Sequence, residues 1–206
     1  MRHNPNYAVT DERVVRQLIA DNPWATIVSH DGEGLVASHY PVLLDDEADG
    51  LALLTHVGRP DEQLHRFRDA EVMVIVAGPH GYVSPSWYGP EATLVPTWNF
   101  SVVHCWGVPR ILAAEENVRV LGRLVDHFER RVERPVALAA DDERLARGTV
   151  GLRIPVDRWV CKVKMSQEED ERSQRQVLEA LRTPGPYANA ALADAMEAEL
   201  ARRAGG

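Results

Sequence analysis

The spacing of apolar positions changes several times along this chain, and each change marks an element. Between Thr10 and Asp21, Val14, Val15, Leu18 and Ile19 recur at helical spacing behind a Thr-Asp-Glu opening suited to a helix N-terminus. Asn22-Pro23 stops the run. The period then falls to two. Trp24 to His30, Leu35 to Val42 and Leu51 to Val57 read as strands, separated by Asp31-Gly32-Glu33-Gly34 and by the acidic stretch Asp45 to Gly50, which predicts an antiparallel meander. Arg59-Pro60 opens a short polar helix running to about Asp69. The unbroken apolar run Val72 to Ala77 predicts a strand covered on both faces.

Gly78 to Pro96 holds more Pro and Gly than a strand tolerates, together with Tyr82, Trp87 and Tyr88, so it reads as an ordered functional loop. From Thr97 to Leu112 a long strand sets Phe100, Val102, His104, Trp106 and Val108 against Asn99, Ser101, Val103 and Cys105. Glu115 to Val132 returns to helix, with Val118, Leu121, Val125, Phe128 and Val132 as the expected packing stripe. The last strand, Arg158 to Met165, turns Trp159, Cys161, Val163 and Met165 inward and leaves Lys162 and Lys164 on the outer face. Two helices follow, Glu168 to Leu181 and Ala188 to Arg203, broken by Thr183-Pro184-Gly185-Pro186. This is the pattern of a mainly β chain with helices (α+β), a small antiparallel barrel. It lacks the βαβα alternation of a doubly wound sheet, and neither GxGxxG nor GxxxxGK[ST] occurs.

Composition narrows the function classes. A chain of 206 residues can bury a real core, and the pattern divides it into a barrel domain, residues 1–166, and a helical extension, residues 167–206. Acidic residues outnumber basic ones 31 to 23, a net charge of −8, which disfavours an electrostatic grip on nucleic acid. No run is long enough to span a bilayer and the opening MRHNPNYAVTDER has no apolar signal region, so a cytoplasmic protein is expected. Cys105 and Cys161 stand outside any zinc spacing and are expected as small buried hydrophobes.

Candidate chemistry gathers in a few places. His39, His56 and His104 fall in or at the ends of predicted strands, where an imidazole can hydrogen-bond a ligand or ligate haem iron. His3, His30, His65, His80 and His127 read as surface or loop residues without a role. The run Gly78 to Tyr88 and Pro96-Thr97-Trp98-Asn99 offer aromatic walls and the donors Ser84, Ser86, Thr97 and Asn99, which suit a planar cofactor. Lys164 with Ser166-Gln167 sets a point cation beside a hydroxyl and an amide, where a phosphate or carboxylate can dock. No Ser-His-Asp order stands out, so hydrolysis is unsupported.

Several separate motifs carry a resemblance: Asn22-Pro23-Trp24-Ala25-Thr26, Ser38-His39-Tyr40-Pro41, His56, GPHGYVSPSWY from Gly78, VPTWNF from Val95, Val103-His104, KMSQ from Lys164, and GPYANAALADAM near the end. Together they resemble the PaiB family, described as FMN-binding negative transcriptional regulators of the flavin-reductase type split β-barrel. The resemblance implies a homodimer with cofactor sites at its interface and a small-molecule substrate or effector. It implies FMN near Ser38, His39, Thr55, His56, Tyr82, Ser84, Trp87, Thr97, Trp98, Asn99, Lys164, Ser166 and Gln167, in a regulator or a flavin-dependent reductase.

Two departures matter. Where the family reads His-x-Ala-Arg-Ala-Asn-Pro, this chain has His56-Val57-Gly58-Arg59-Pro60-Asp61. Where it reads Ser-Gln-Asn, this chain has Ser166-Gln167-Glu168, and an acidic side chain there would repel a phosphate. The second departure resembles the related piperazate synthases, which bind haem b and close an N–N bond in an N-hydroxylated ornithine. On that alternative His56 or His39 is the axial ligand, and Lys164 or Glu168 handles protons or the substrate amine. Direct DNA binding is disfavoured on either reading, because no helix-turn-helix pattern accompanies the acidic charge.

Overall fold

Residues 1–67, 70–88, 95–137 and 147–205 are described by a computed structural model. In chain order the elements are β1 (Ala8–Val9), α1 (Glu12–Asp21), β2 (Trp24–His30), β3 (Leu35–Pro41), β4 (Leu43–Leu44), β5 (Ala52–Gly58), α2 (Arg59–His65) and β6 (Val72–Val83). A 3-10 turn (Pro85–Tyr88) precedes β7 (Thr97–Gly107), β8 (Arg110–Ile111), α3 (Ala114–Glu129), β9 (Thr149–Pro155), β10 (Arg158–Lys164), α4 (Glu171–Arg182) and α5 (Ala190–Ala204). One sheet runs β1-β10-β7-β6-β2-β3 and the other β4-β5-β9-β8. The registers described are antiparallel, and the fold is an α+β split β-barrel with two C-terminal helices.

The chain divides into two compact units. The first comprises Met1–Glu12, Ala77–Val102 and Val160–Gly206, and the second Arg13–Val76 and Val103–Trp159. The C-terminal helices belong to the same unit as the N-terminal segment and parts of β6, β7 and β10.

In the second unit, β2 pairs with β3 through Ile27↔Ser38 and with β6 through Ala25↔Val76. Strict alternation along β2 turns Ala25, Ile27 and Ser29 inward. The other sheet is built on β5 and β9, paired from Ala52↔Pro155 to Gly58↔Thr149. Helix α3 lays Val120 and Leu124 on Leu54, with Leu43 and Leu112 at the margin. Gly107 serves a close approach here, since a Cβ would lie 1.9 Å from the Pro155 carbonyl oxygen.

In the first unit, β1 pairs with β10 at Ala8↔Lys162 and Val9↔Cys161. Val83, Cys161, Val163 and Met165 are buried with Val177 and Leu181 of α4 and Leu192 and Met196 of α5. Asp170 caps α4 by accepting from Ser173 N, and Asn189 caps α5 by accepting from Leu192 N.

Several expectations are corrected. Strand β6 does not end at Ala77; it runs on to Val83, with His80 and Tyr82 in the strand, because ladder pairing outweighs the Pro79 and Gly81 signals. The Val72 to Ala77 run is buried on one face only, with Met73 and Ile75 half-buried and Ala77 exposed. Strand β9 is not among the expected strands, although Val150, Leu152 and Ile154 alternate with Gly151 and Arg153, and it forms the spine of the second sheet. The face of α3 is rotated: Asn117, Val120, Leu121 and Leu124 are buried, whereas Phe128 is 40% exposed and Val132 49%. Helix α4 starts at Glu171, because Ser166 to Asp170 forms a corner. The expected helix end near Asp69 and positions 89–94 of the expected loop lie outside the described residues. Both cysteines are buried and, among the described residues, neither is in a disulfide, as expected. Among the described residues no helix is long and apolar enough to cross a membrane.

Candidate cofactor site

Alternation along β7 and β10 sorts the chemistry of the first unit onto two faces. Asn99 and Ser101 turn inward with Cys161 and Val163, which leaves Trp98, Phe100, Lys162 and Lys164 on the opposite face. The Lys164 ammonium donates to Thr97 Oγ1. Both ammoniums stand 5.8 Å from the centroid of the Tyr7 ring, and that of Lys162 lies 5.7 Å from Phe100, within cation–π range. Neither lysine is in an ion pair among the described residues. His80 stacks on Trp98, itself 55% exposed, at 6.4 Å. Tyr82, Trp87 and Tyr187 form a further group, with centroids 5.0–6.4 Å apart. Ser84 and Ser86 bond each other through their hydroxyls at 2.8 Å.

Behind this face lies a buried polar node. Asn99, fully buried, donates from Nδ2 to Ser166 Oγ at 2.9 Å, and the Tyr88 hydroxyl meets the same oxygen at 3.1 Å. Asn99 Oδ1 has no partner among the described residues. Ser166 adopts φ 57, a left-handed conformation uncommon outside glycine, and is 2% exposed. Gln167 accepts from Met165 N at 2.5 Å and donates to Val163 O at 2.7 Å. Ser166 and Gln167 therefore hold the corner after β10 together.

That corner delivers Glu168, whose Oε1 accepts a hydrogen bond from the Tyr7 hydroxyl. Burial first, then the bond to Glu168 and the charges of Glu168 and Glu169, push the Tyr7 phenol above its ordinary pKa. Burial, with Glu168 and Asp170 adding, also raises the Glu169 carboxyl. Sequence reasoning missed Tyr7 because it sits in a stretch without periodicity. Only the β1–β10 pairing brings it to the lysines.

The other predicted residues lie in the second unit. His39 Nδ1 is 3.0 Å from Thr26 Oγ1, with Trp24 stacked on its ring at 6.4 Å. Thr55, fully buried, donates to Pro41 O at 2.7 Å. His56 meets the edge of Tyr40 at 6.2 Å, its Nδ1 is buried without a partner among the described residues, and burial lowers its pKa. Asp61, standing where the family has Asn, accepts from the Tyr40 hydroxyl, which in turn accepts from Gly58 N. His104 lies against Trp106 at 5.8 Å.

His65, expected at the surface, is fully buried. Its Nδ1 lies 2.7 Å from Ser29 Oγ and its Nε2 2.9 Å from Ser38 Oγ, and its ring stacks on Phe67 at 4.8 Å. Helical spacing on so short and polar a segment could not distinguish an inward histidine from an outward one. Ser38 is thus fixed from behind by an imidazole. Among the described residues no group of three or more His, Cys, Asp or Glu could hold a metal ion.

Antiparallel sheets with aromatic, hydroxyl and ammonium groups along strand faces define the class, a split-barrel domain. Solved structures share the fold: the FAD and heme binding protein from Mycobacterium smegmatis has a TM-score of 0.62 at 18% identity, covering 82% of this chain and 78% of that one. The flavocytochrome Anf3 from Azotobacter vinelandii has a TM-score of 0.60 at 15% identity, covering 85% of this chain and 78% of that one. The chain belongs to the family described as "Putative FMN-binding domain", whose profile matches residues 1–158. The "Protease synthase and sporulation protein PAI 2" of Bacillus subtilis (strain 168) is 27% identical over 202 residues, 96% of this chain and 97% of that protein.

Proposed function

We propose that this chain binds FMN on the face formed by β7, β10 and Tyr7, as a flavin-dependent oxidoreductase or an FMN-responsive regulator. We take it to work as a cytoplasmic homodimer. One observation carries the reading: two ammoniums without ion pairs among the described residues, one bonded to the Thr97 hydroxyl, stand over the rings of Tyr7 and Phe100, and Trp98, stacked on His80, shares the face of Phe100 on β7. A phosphate suits the ammoniums and hydroxyl, and a planar ring system suits the aromatic surface. Bound flavin supplies hydride chemistry, and the protein's part is to place and orient it.

Haem b is the second reading, and His56 supports it, because burial keeps its imidazole neutral, the state that ligates iron. Against it, His56 Nδ1 has among the described residues no acceptor of the kind that orients a ligating imidazole. The donor set fits flavin better. On the haem reading the substrate is an N-hydroxylated diamino acid, and Lys164 or Glu168 would handle its protons or its amine. The absorption spectrum of the purified protein, before and after adding each cofactor, separates the two. A two-band flavin spectrum is expected. An intense Soret band lost in His56→Ala would establish haem, and uptake of neither cofactor would sink both readings. Sedimentation of the same sample tests the dimer.

A further inference from the structure

We propose that Tyr7 is a ligand-site residue whose ring carries the Lys162 and Lys164 ammoniums and whose hydroxyl ties back Glu168, leaving Lys164 to the phosphate of an aromatic phosphomonoester. The proposal rests on the flavin reading and explains how a site with an acid four residues beyond its lysine still accepts a dianion.

The N-terminal segment is fastened to β10 residue by residue. Tyr7 O accepts from Val163 N at 2.9 Å, Ala8 pairs with Lys162, and Asn6 O accepts from Gln167 Nε2 at 3.3 Å and Arg203 Nη2 at 2.7 Å. The Tyr7 side chain therefore has a defined place against the outer face of β10. Its ring stands 5.8 Å from both ammoniums, and its hydroxyl donates to Glu168 Oε1.

Glu168 opens a run of three carboxylates, Glu168-Glu169-Asp170. Asp170 is spent on the cap of α4 through Ser173 N and Oγ. The charge of Lys164 already acts on the neighbouring Glu169 carboxyl, and a Glu168 carboxylate released from Tyr7 would be free to turn to the same ammonium, which would both neutralise it and bring negative charge to the phosphate. The phenol prevents this by a charge-assisted hydrogen bond to the carboxylate. A phenol keeps its proton at neutral pH in any case, and burial with the bond to Glu168 raises the Tyr7 pKa further. No proton or electron moves; the role is one of positioning and specificity.

The test compares dissociation constants of FMN and riboflavin, measured by flavin fluorescence, for wild type, Tyr7→Phe, Glu168→Gln and the double variant. Riboflavin has the same ring system without the phosphate. Tyr7→Phe keeps the ring and is expected to weaken FMN about tenfold, which is about 1.4 kcal/mol, with riboflavin nearly unchanged. Glu168→Gln is expected to bind FMN as tightly as wild type or tighter, and the double variant to recover wild-type affinity. Equal FMN affinity in Tyr7→Phe, equal losses for both flavins, or a double variant as weak as Tyr7→Phe would overturn the role of Tyr7 while leaving the flavin reading intact. Wild-type protein that binds neither flavin would overturn both. Matching thermal midpoints among the variants exclude a folding defect as the cause of any loss.

Discussion

His65 is the residue whose surroundings set a pH response. Burial holds its imidazole below the ordinary histidine range, while the charge of Asp61 pulls weakly the other way. His56 and His104 are shifted down by burial as well. A base with a lowered folded pKa takes up its proton first in the unfolded chain, at about pH 6.5. The stability it contributes is complete above that pH and is lost as pH falls through the folded pKa. Urea midpoints measured from about pH 7.5 down to about pH 5 are therefore expected to fall, and His65→Asn to flatten the slope. A slope unchanged in that variant would move the response to His56 and His104. Ser38 depends on the same imidazole, so the residue expected to touch ligand and the one that places it lie on different elements, β3 and α2.

At the scale of elements, the two faces of α3 offer a direct comparison. Leu124 is 3% exposed and sits on Leu54, while Phe128, one turn later on the stripe that sequence favoured, is 40% exposed. Leu124→Ala is expected to cost about 2–4 kcal/mol by transfer and cavity formation, and Phe128→Ala about 1 kcal/mol or less, both read from denaturant midpoints. The reverse order would mean that Phe128 is covered in solution, for example by a second copy of the chain. The turn from β4 into β5 rests on Asp45, a carboxylate 1% exposed that accepts from Arg153 Nε at 2.6 Å and pairs with Arg123 at 3.5 Å. Sequence assigned Asp45 to an acidic turn. Nothing local distinguished it from Asp46 or Asp49, because its partners come from α3 and β9, far along the chain.

For the molecule as a whole, a ligand that binds only the folded state stabilises by mass action. FMN at about one hundred times its dissociation constant is expected to add about 2.7 kcal/mol and raise the thermal midpoint. No rise with FMN, and a rise with haem b, would shift the assignment to the second reading. The charge of −8 leads us to expect no shift of duplex DNA in gel mobility at physiological salt. A regulatory role would then act through a partner.

The hydrophobic pattern alone determined much of the architecture. Strand β2 lies where period two placed it, the two faces of β7 alternate as read, the lysines of β10 share a face, and the Pro-Gly break separates α4 from α5. Local pattern suffices there, because which side of a strand a residue faces depends on its immediate neighbours. The rest came from pairings distant in sequence. Strand β9 exists through β5 and β8, the burial of His65 through Ser29 and Ser38, the corner at Ser166 through Asn99 and Tyr88, and the meeting of Tyr7 with Lys164 and Glu168 through one short antiparallel pair. Sequence showed Glu168 as a charge set against a phosphate; tertiary structure gave that charge a hydrogen-bond donor, because the donor lies 161 residues earlier in the chain.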